Sequence, residues 1–198
     1  MATKWNKIDE LHRPYYLEEE DFCLYAREYS EGGYEASTSN QLVFNLKKPI
    51  SYKGLPQWFY KEHAIERFAS ELGMLRFPDN AVIIPAPTSK PRKSPLFDSR
   101  IDDVAKSLCK YNSNLIYQPI LDVDIELLSA HSEGGTRIPE EIEEHIVVSK
   151  FTKIEIPSTV FVIDDLITTG GHFVAIKRAL QHTFPGIKVI GLFWAKKI

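Results

Sequence analysis

The sequence predicts an α/β fold: a mostly parallel, twisted sheet flanked by helices, with an N-terminal β-hairpin as an embellishment. Three observations carry this expectation. Residues 81–84 (Ala-Val-Ile-Ile) and 160–163 (Val-Phe-Val-Ile) are short, continuous apolar runs bounded by turn-forming residues, as strands buried on both faces require. Each is followed, beyond a turn, by apolar residues at helical spacing. A final apolar run over 187–194 returns as a strand, completing the strand–helix–strand order of a parallel crossover.

The elements follow in order. Residues 1–20 are polar and carry Arg13-Pro14 and Glu18-Glu19-Glu20, which reads as an irregular lead-in. Residues 22–29 read as a strand, Gly32-Gly33 as the reversal, and Leu42, Val43, Phe44, Asn45 and Leu46 as the returning strand of a hairpin. From Trp58 to Met74, Phe59, Ala64, Ile65, Phe68 and Leu72 fall on one helical face, and Gly73 and Pro78 stop that helix. Asp98 or Ser99 caps a helix carrying Ile101, Val104, Ala105 and Leu108. A strand is expected over 114–121, a long loop over most of 128–145, a short strand at 146–148, and a helix over 171–184. The whole reads as a single domain over residues 1–198, with 1–57 as lead-in and hairpin and 58–198 as the α/β core.

Composition narrows the function. The chain has 198 residues, is 43% hydrophobic and 26% charged, and carries a formal charge of −3 from 24 basic and 27 acidic residues. A fold of this length hides roughly 70% of its unfolded surface and needs no metal or disulfide staple. A net-acidic chain without a lysine-rich block gives no strong sign of nucleic-acid binding. The two cysteines, Cys23 and Cys109, are far apart, which excludes a zinc ribbon and a disulfide scaffold. The opening residues lack the apolar core of a signal peptide, and no apolar stretch has membrane-spanning length. A cytoplasmic protein of a reducing compartment, with no membrane partner, is expected.

Ligands of parallel α/β sheets bind beyond the carboxyl ends of the strands, so the segments after residues 84 and 163 are the places to look. The second reads Asp164-Asp165-Leu166-Ile167-Thr168-Thr169-Gly170-Gly171-His172 and opens a helix. Adjacent carboxylates at a strand end suit the vicinal hydroxyls of a sugar, or a cation. The Thr-Thr-Gly-Gly stretch supplies small side chains, hydroxyl donors and free backbone N–H groups at a positive helix end, the donor set for a phosphate monoester. Diol recognition followed at once by phosphate recognition describes a sugar phosphate.

The same segment closely resembles the phosphoribosyl-pyrophosphate (PRPP) signature of type I phosphoribosyltransferases, with His172 departing from the usual threonine or serine. The resemblance implies that Asp164 and Asp165 face the ribose hydroxyls as catalytic residues. It also implies that Leu166, Ile167, Thr168, Thr169, Gly170, Gly171 and His172 hold the 5-phosphate. Ile84-Pro85-Ala86-Pro87-Thr88-Ser89-Lys90, the later Ser94-Pro95-Leu96-Phe97-Asp98-Ser99 and the upstream Leu42-Val43-Phe44-Asn45-Leu46-Lys47-Lys48 are similar to the competence-protein F (ComF-type, amidophosphoribosyltransferase-like) branch, although that branch's zinc ribbon is absent. Thr88, Ser89 and Lys90 would then receive pyrophosphate, and Mg²⁺ would be the cofactor, its protein ligands unknown.

What the resemblance implies is transfer of 5-phosphoribosyl from PRPP to a nitrogen nucleophile in nucleotide metabolism. A non-catalytic PRPP- or nucleotide-phosphate-binding regulatory module and a hydrolase of phosphoribosyl compounds are the alternatives. A lid is expected over 128–140, hinged at Gly134-Gly135 with Arg137 as its only arginine, while Glu140, Glu141, Glu143 and Glu144 read as the solvated face of a short helix. Tyr15, Tyr16, Trp58 and Tyr60 are candidates for a hood over the acceptor, and Phe193 and Trp194 read as core. The expected partner is a small phosphoribosyl substrate, with homodimerisation left open.

Overall fold

The computed structural model describes residues 4–127 and 138–198. Its strands are β1 (Asn6–Lys7), β2 (Phe22–Tyr29), β3 (Ala81–Pro85), β4 (Leu115–Tyr117), β5 (Leu121–Val123), β6 (Ile146–Val148), β7 (Thr159–Ile167) and β8 (Lys188–Lys197). Its helices are α1 (Thr38–Leu46), α2 (Trp58–Leu72), α3 (Arg100–Tyr111), α4 (Pro139–Glu143) and α5 (Gly171–Thr183). The main sheet has the order β1-β2-β8-β7-β3-β4, parallel throughout except for β1. Among the described residues no helix is long and apolar enough to cross a membrane.

The apolar strands are buried on both faces because they feed two cores. Val82, Ile84, Val160, Val162 and Phe193 join a cluster with Phe173, Val174, Ile176 and Leu180 of α5. Ile83, Ile163, Leu192 and Trp194 face the other way, into a cluster with α1, α2 and α3. Side chains alternate along a strand, so each continuous apolar run supplies both layers in turn. Trp194 is completely buried, stacked on Phe68 at 5.0 Å.

Chain direction fixes where the sheet leaves room for a crevice. The crossover β3–α3–β4 leaves β3 for one side of the sheet, and β7–α5–β8 leaves β7 for the other, while β3 and β7 are themselves parallel neighbours. The strand order therefore reverses between β3 and β7, and crevices in open α/β sheets form at that reversal.

Several expectations are corrected. An antiparallel N-terminal hairpin is present, but it joins Asn6 to Tyr25 and Lys7 to Leu24. Residues 42–46 are not its returning strand; they lie in α1. Ser37 caps that helix, its Oγ accepting from the Asn40 N–H at 3.0 Å, and Val43 and Leu46 bury the inner face. β2 instead runs parallel to β8 within the main sheet.

The single strand expected over 114–121 is two. Pro119 has no N–H to continue the ladder, so the chain leaves β4 after Gln118, whose N–H still reaches Ile83 O at 2.9 Å. β5 then pairs antiparallel with β6 in a separate ribbon. Within the expected long loop, residues 139–143 form α4, the short glutamate-rich helix, and Arg178 of α5 pairs with its Glu140. The lid residues 128–137, Gly134, Gly135 and Arg137 included, lie outside the described residues.

Removing the α1 cap with Ser37→Ala is expected to lower stability by about 1 kcal/mol. Urea unfolding followed by far-UV circular dichroism measures it, and an unchanged midpoint would contradict the assignment of this segment as a capped helix.

Candidate functional site

β7 extends four residues beyond its apolar run, to Ile167, paired with β8 as far as Lys196. The acidic pair is thus inside a strand rather than in the turn after it, and consecutive strand residues point to opposite faces. Asp164 faces α5 and Asp165 faces α1 and α3.

On the α5 side a small cavity of about 70 Å³ is lined by Asp164, Leu166, Ile167, the loop from Thr168 to Gly171, and His172, with Ile142, Phe173 and Phe193 at its apolar edge. A single water needs only about 10–15 Å³, so the space admits a group the size of a phosphate. His172 Nδ1 lies 2.9 Å from Asp164 Oδ2, and the other carboxylate oxygen accepts the Asp165 N–H at 2.7 Å. Gly170 caps α5 with φ at 84°, a left-handed conformation that glycine adopts without strain. No side chain caps this helix end, whose first N–H groups have no partner within the helix, and Gly171 and His172 at its start line the cavity. The N-terminal segment braces the loop from outside. Tyr16 N–H donates to Thr169 O at 2.9 Å, and Leu17 packs so closely on Gly170 that a Cβ there would meet its Cγ at 3.0 Å.

On the other face Asp165 is buried and doubly paired. Lys47 Nζ lies 2.8 Å from Oδ1, and Arg100 Nε and Nη2 both lie 2.9 Å from Oδ2. The pairs extend outward: Arg100 Nη1 reaches Asp98 Oδ2 at 2.9 Å, and Lys61 donates to the same oxygen and to Lys48 O, each at 2.7 Å. Burial alone would raise the Asp165 pKa, but the charges of Lys47 and Arg100 outweigh it and hold the carboxyl well below the usual range. Burial pulls the Lys61 ammonium down, partly offset by Asp98. Lys47, Lys61 and Arg100 against Asp98 and Asp165 leave one positive charge in excess beside the carboxyl ends of β3 and β7.

The segment after β3 starts beside β7, with Ala86 N–H donating to Ile163 O at 2.9 Å. Thr88, Ser89 and Lys90 do not line the cavity. Lys90 pairs with Glu126, and Ser89 O accepts the Leu127 N–H at 2.8 Å. Arg92 holds this loop in place through Asp102 at 2.8 Å and Leu121 O at 3.1 Å, and Tyr117 donates to the same Asp102 carboxylate. Asp102 is therefore a buried anchor, not only a charge at a helix start. Among the described residues no group of three or more His, Cys, Asp or Glu could cage a metal ion.

Of the expected site residues, Asp164 and Leu166 through His172 come together around one space, while Asp165 and the Thr88–Lys90 turn lie outside it. Sequence reasoning does not find Lys47 and Arg100 as the partners of Asp165, nor Asp98 and Lys61 behind Arg100. Lys47 lies within a segment already singled out by its resemblance, but nothing local ties it to Asp165.

No protein-family model matches the chain, and no curated protein does. Among solved structures it is similar to a hypoxanthine phosphoribosyltransferase from Staphylococcus aureus in two crystal forms, with TM-scores of 0.37 and 0.38 and identities of 15% and 18%, each covering 69% of this chain and 74% of the other. It is also similar to the Trypanosoma cruzi hypoxanthine phosphoribosyl transferase, with a TM-score of 0.33 and 17% identity over 66% of this chain and 60% of that one. Similarity this loose transfers nothing about activity.

Truncating Asp165 to alanine leaves Lys47 and Arg100 without their shared anion and is expected to cost about 3–5 kcal/mol. The pH dependence has a definite sign. A carboxyl with its folded pKa lowered stabilises the protein above its unfolded value of about 3.9, and that contribution is lost as pH falls below it. Denaturant unfolding from pH 7 down to pH 3 should therefore show wild type losing stability more steeply than Asp165→Ala. Parallel curves would contradict the ion-paired carboxylate.

Proposed function

We propose that the protein is a type I phosphoribosyltransferase-like enzyme that binds PRPP and transfers its 5-phosphoribosyl group to a nitrogen nucleophile. The observation that carries this reading is the cavity bounded by Asp164 and the loop from Leu166 to His172, at the end of β7 and the start of α5. It combines a carboxylate for ribose hydroxyls with hydroxyl and amide donors for the 5-phosphate.

In this reading Asp164 accepts a hydrogen bond from a ribose hydroxyl and steadies the positive charge that develops at the sugar as pyrophosphate departs. The loop from Thr168 to Gly171 anchors the phosphate. Asp165 acts through its partners, fixing Lys47 and Arg100 beside the strand ends, where their excess positive charge favours the departing polyanion. Thr88, Ser89 and Lys90 offer further donors once Lys90 exchanges Glu126 for the ligand. Mg²⁺ is the cofactor of this chemistry. Such ions commonly ride on substrate phosphates with one or two carboxylates rather than in a protein cage, which fits a donor set without a clustered ligand group among the described residues.

A second reading, a binding module without turnover, is favoured by two observations: Lys90 is already neutralised by Glu126, and Asp165 is already committed to two cations. Calorimetry with PRPP and Mg²⁺, run beside an assay for pyrophosphate release with and without amines, separates the possibilities. Binding with amine-accelerated release is expected. Binding without release would establish the module, and release that no amine accelerates would establish hydrolysis.

The roles of the two turns are separable. Thr169→Val is expected to weaken ribose 5-phosphate binding about tenfold, the loss of one hydrogen bond to a charged group, with little change for pyrophosphate. Equal weakening of both ligands would contradict the division.

A further inference from the structure

We propose that His172 binds the phosphate as a proton carrier, so that a phosphate monoester enters this cavity together with one H⁺. This rests on the phosphate-binding reading above and adds to it a proton stoichiometry and a defined role for His172, the residue at which this segment departs from the signature it resembles.

Geometry sets the state of the ring. Nδ1 lies 2.9 Å from the Asp164 carboxylate, which only accepts, so the Nδ1 proton is held there and Nε2 is the nitrogen left for a ligand. A neutral ring then presents a lone pair at Nε2, and a dianionic phosphate presents only lone pairs. No hydrogen bond forms between them. One forms if the ring is protonated and donates, or if the phosphate is the monoanion and donates to Nε2. Either way the complex contains one proton more than the neutral ring and the dianion did apart.

Charge points the same way. Asp164 and His172 are the ionisable side chains among the cavity's lining residues. With the ring neutral, a dianion would meet a carboxylate opposed only by amides, hydroxyls and the helix end. Of the charged groups on the neighbouring elements, Glu140 of α4 pairs with Arg178 of α5, Glu143 of α4 with His182 of α5, and Glu18 and Asp21 of the N-terminal segment with Lys177, while Glu141 of α4 is exposed to solvent. On β7 the other carboxylate, Asp165, faces Lys47 and Arg100 across the sheet. Among these described groups, a proton on His172 is the readiest source of positive charge inside the cavity.

Asp164 then links two subsites. Its carboxylate holds the imidazolium that faces the phosphate and keeps lone pairs for a ribose hydroxyl. A ligand carrying both groups engages it from both sides, whereas inorganic phosphate engages only the histidine.

The test is calorimetry of ribose 5-phosphate binding at pH 8 in PIPES, HEPES and Tris, whose ionisation enthalpies differ, with affinities measured from pH 7 to pH 9. This range lies above the second phosphate pKa of about 6, so the ligand is a dianion throughout. Uptake approaching one proton per site is expected in wild type, with affinity falling about tenfold per pH unit at the alkaline end. His172→Gln keeps an N–H donor that does not titrate and should bind with no proton uptake and a flat pH profile. His182→Gln, which alters the other histidine of α5, should leave the wild-type linkage in place. Wild-type binding without proton uptake, or linkage that survives His172→Gln, overturns this inference and leaves the phosphate-binding reading standing. No binding of ribose 5-phosphate by wild type between pH 6 and pH 9 overturns both.

Discussion

An extended strand sends consecutive side chains to opposite faces of its sheet, and β7 keeps this alternation through the acidic pair. Asp164 and Asp165, one residue apart, are thereby assigned to different environments. One borders a cavity with a histidine at its wall; the other is buried among cations from α3 and the end of α1. Like charges that would repel in a turn are kept apart by the plane of the sheet, and each finds positive or proton-donating company on its own side. The rest of the site follows from that division.

Each face is held by elements distant in the chain. On the α5 side, the N-terminal segment ties down the loop through Tyr16 and Leu17, and Lys177 of α5 fixes that segment in turn through Asp21 at 2.7 Å. On the other side, α1 presents Lys47 just past its last turn, and α3 presents Arg100 at its first position. The loop between β3 and α3 is held by Arg92 and Asp102 below and by Asp98 above, so it reaches the reversal point of the sheet already ordered. For the proposed ligand, an edge of described residues held this way lowers the ordering cost of binding.

Much of this was legible from local pattern. The runs at β3 and β7 announced buried strands because both faces are covered by helices, and the Thr-Thr-Gly-Gly stretch announced a helix start with free amides. Residues 42–46 were not legible. Four apolar residues in five satisfy a strand as well as a helix, and the deciding feature was the Ser37 cap upstream. Pro119 marked the break between β4 and β5, yet its effect depends on which strand lies alongside. The acidic pair was recognisable as a site but not as two sites, because its division depends on how far β7 continues to pair with β8. Ion pairs such as Arg100 with Asp165, 65 residues apart, arise from strand order and have no local trace.

The central claim is that the space between Asp164 and the residues from Thr168 to His172 receives an esterified phosphate. A crystal soaked with ribose 5-phosphate tests it most directly. The account predicts phosphate density against the amides that open α5, within hydrogen-bonding reach of His172 Nε2, with a ribose hydroxyl directed at Asp164. Density for the sugar phosphate at another surface, with this space closed by neighbouring side chains, would contradict it.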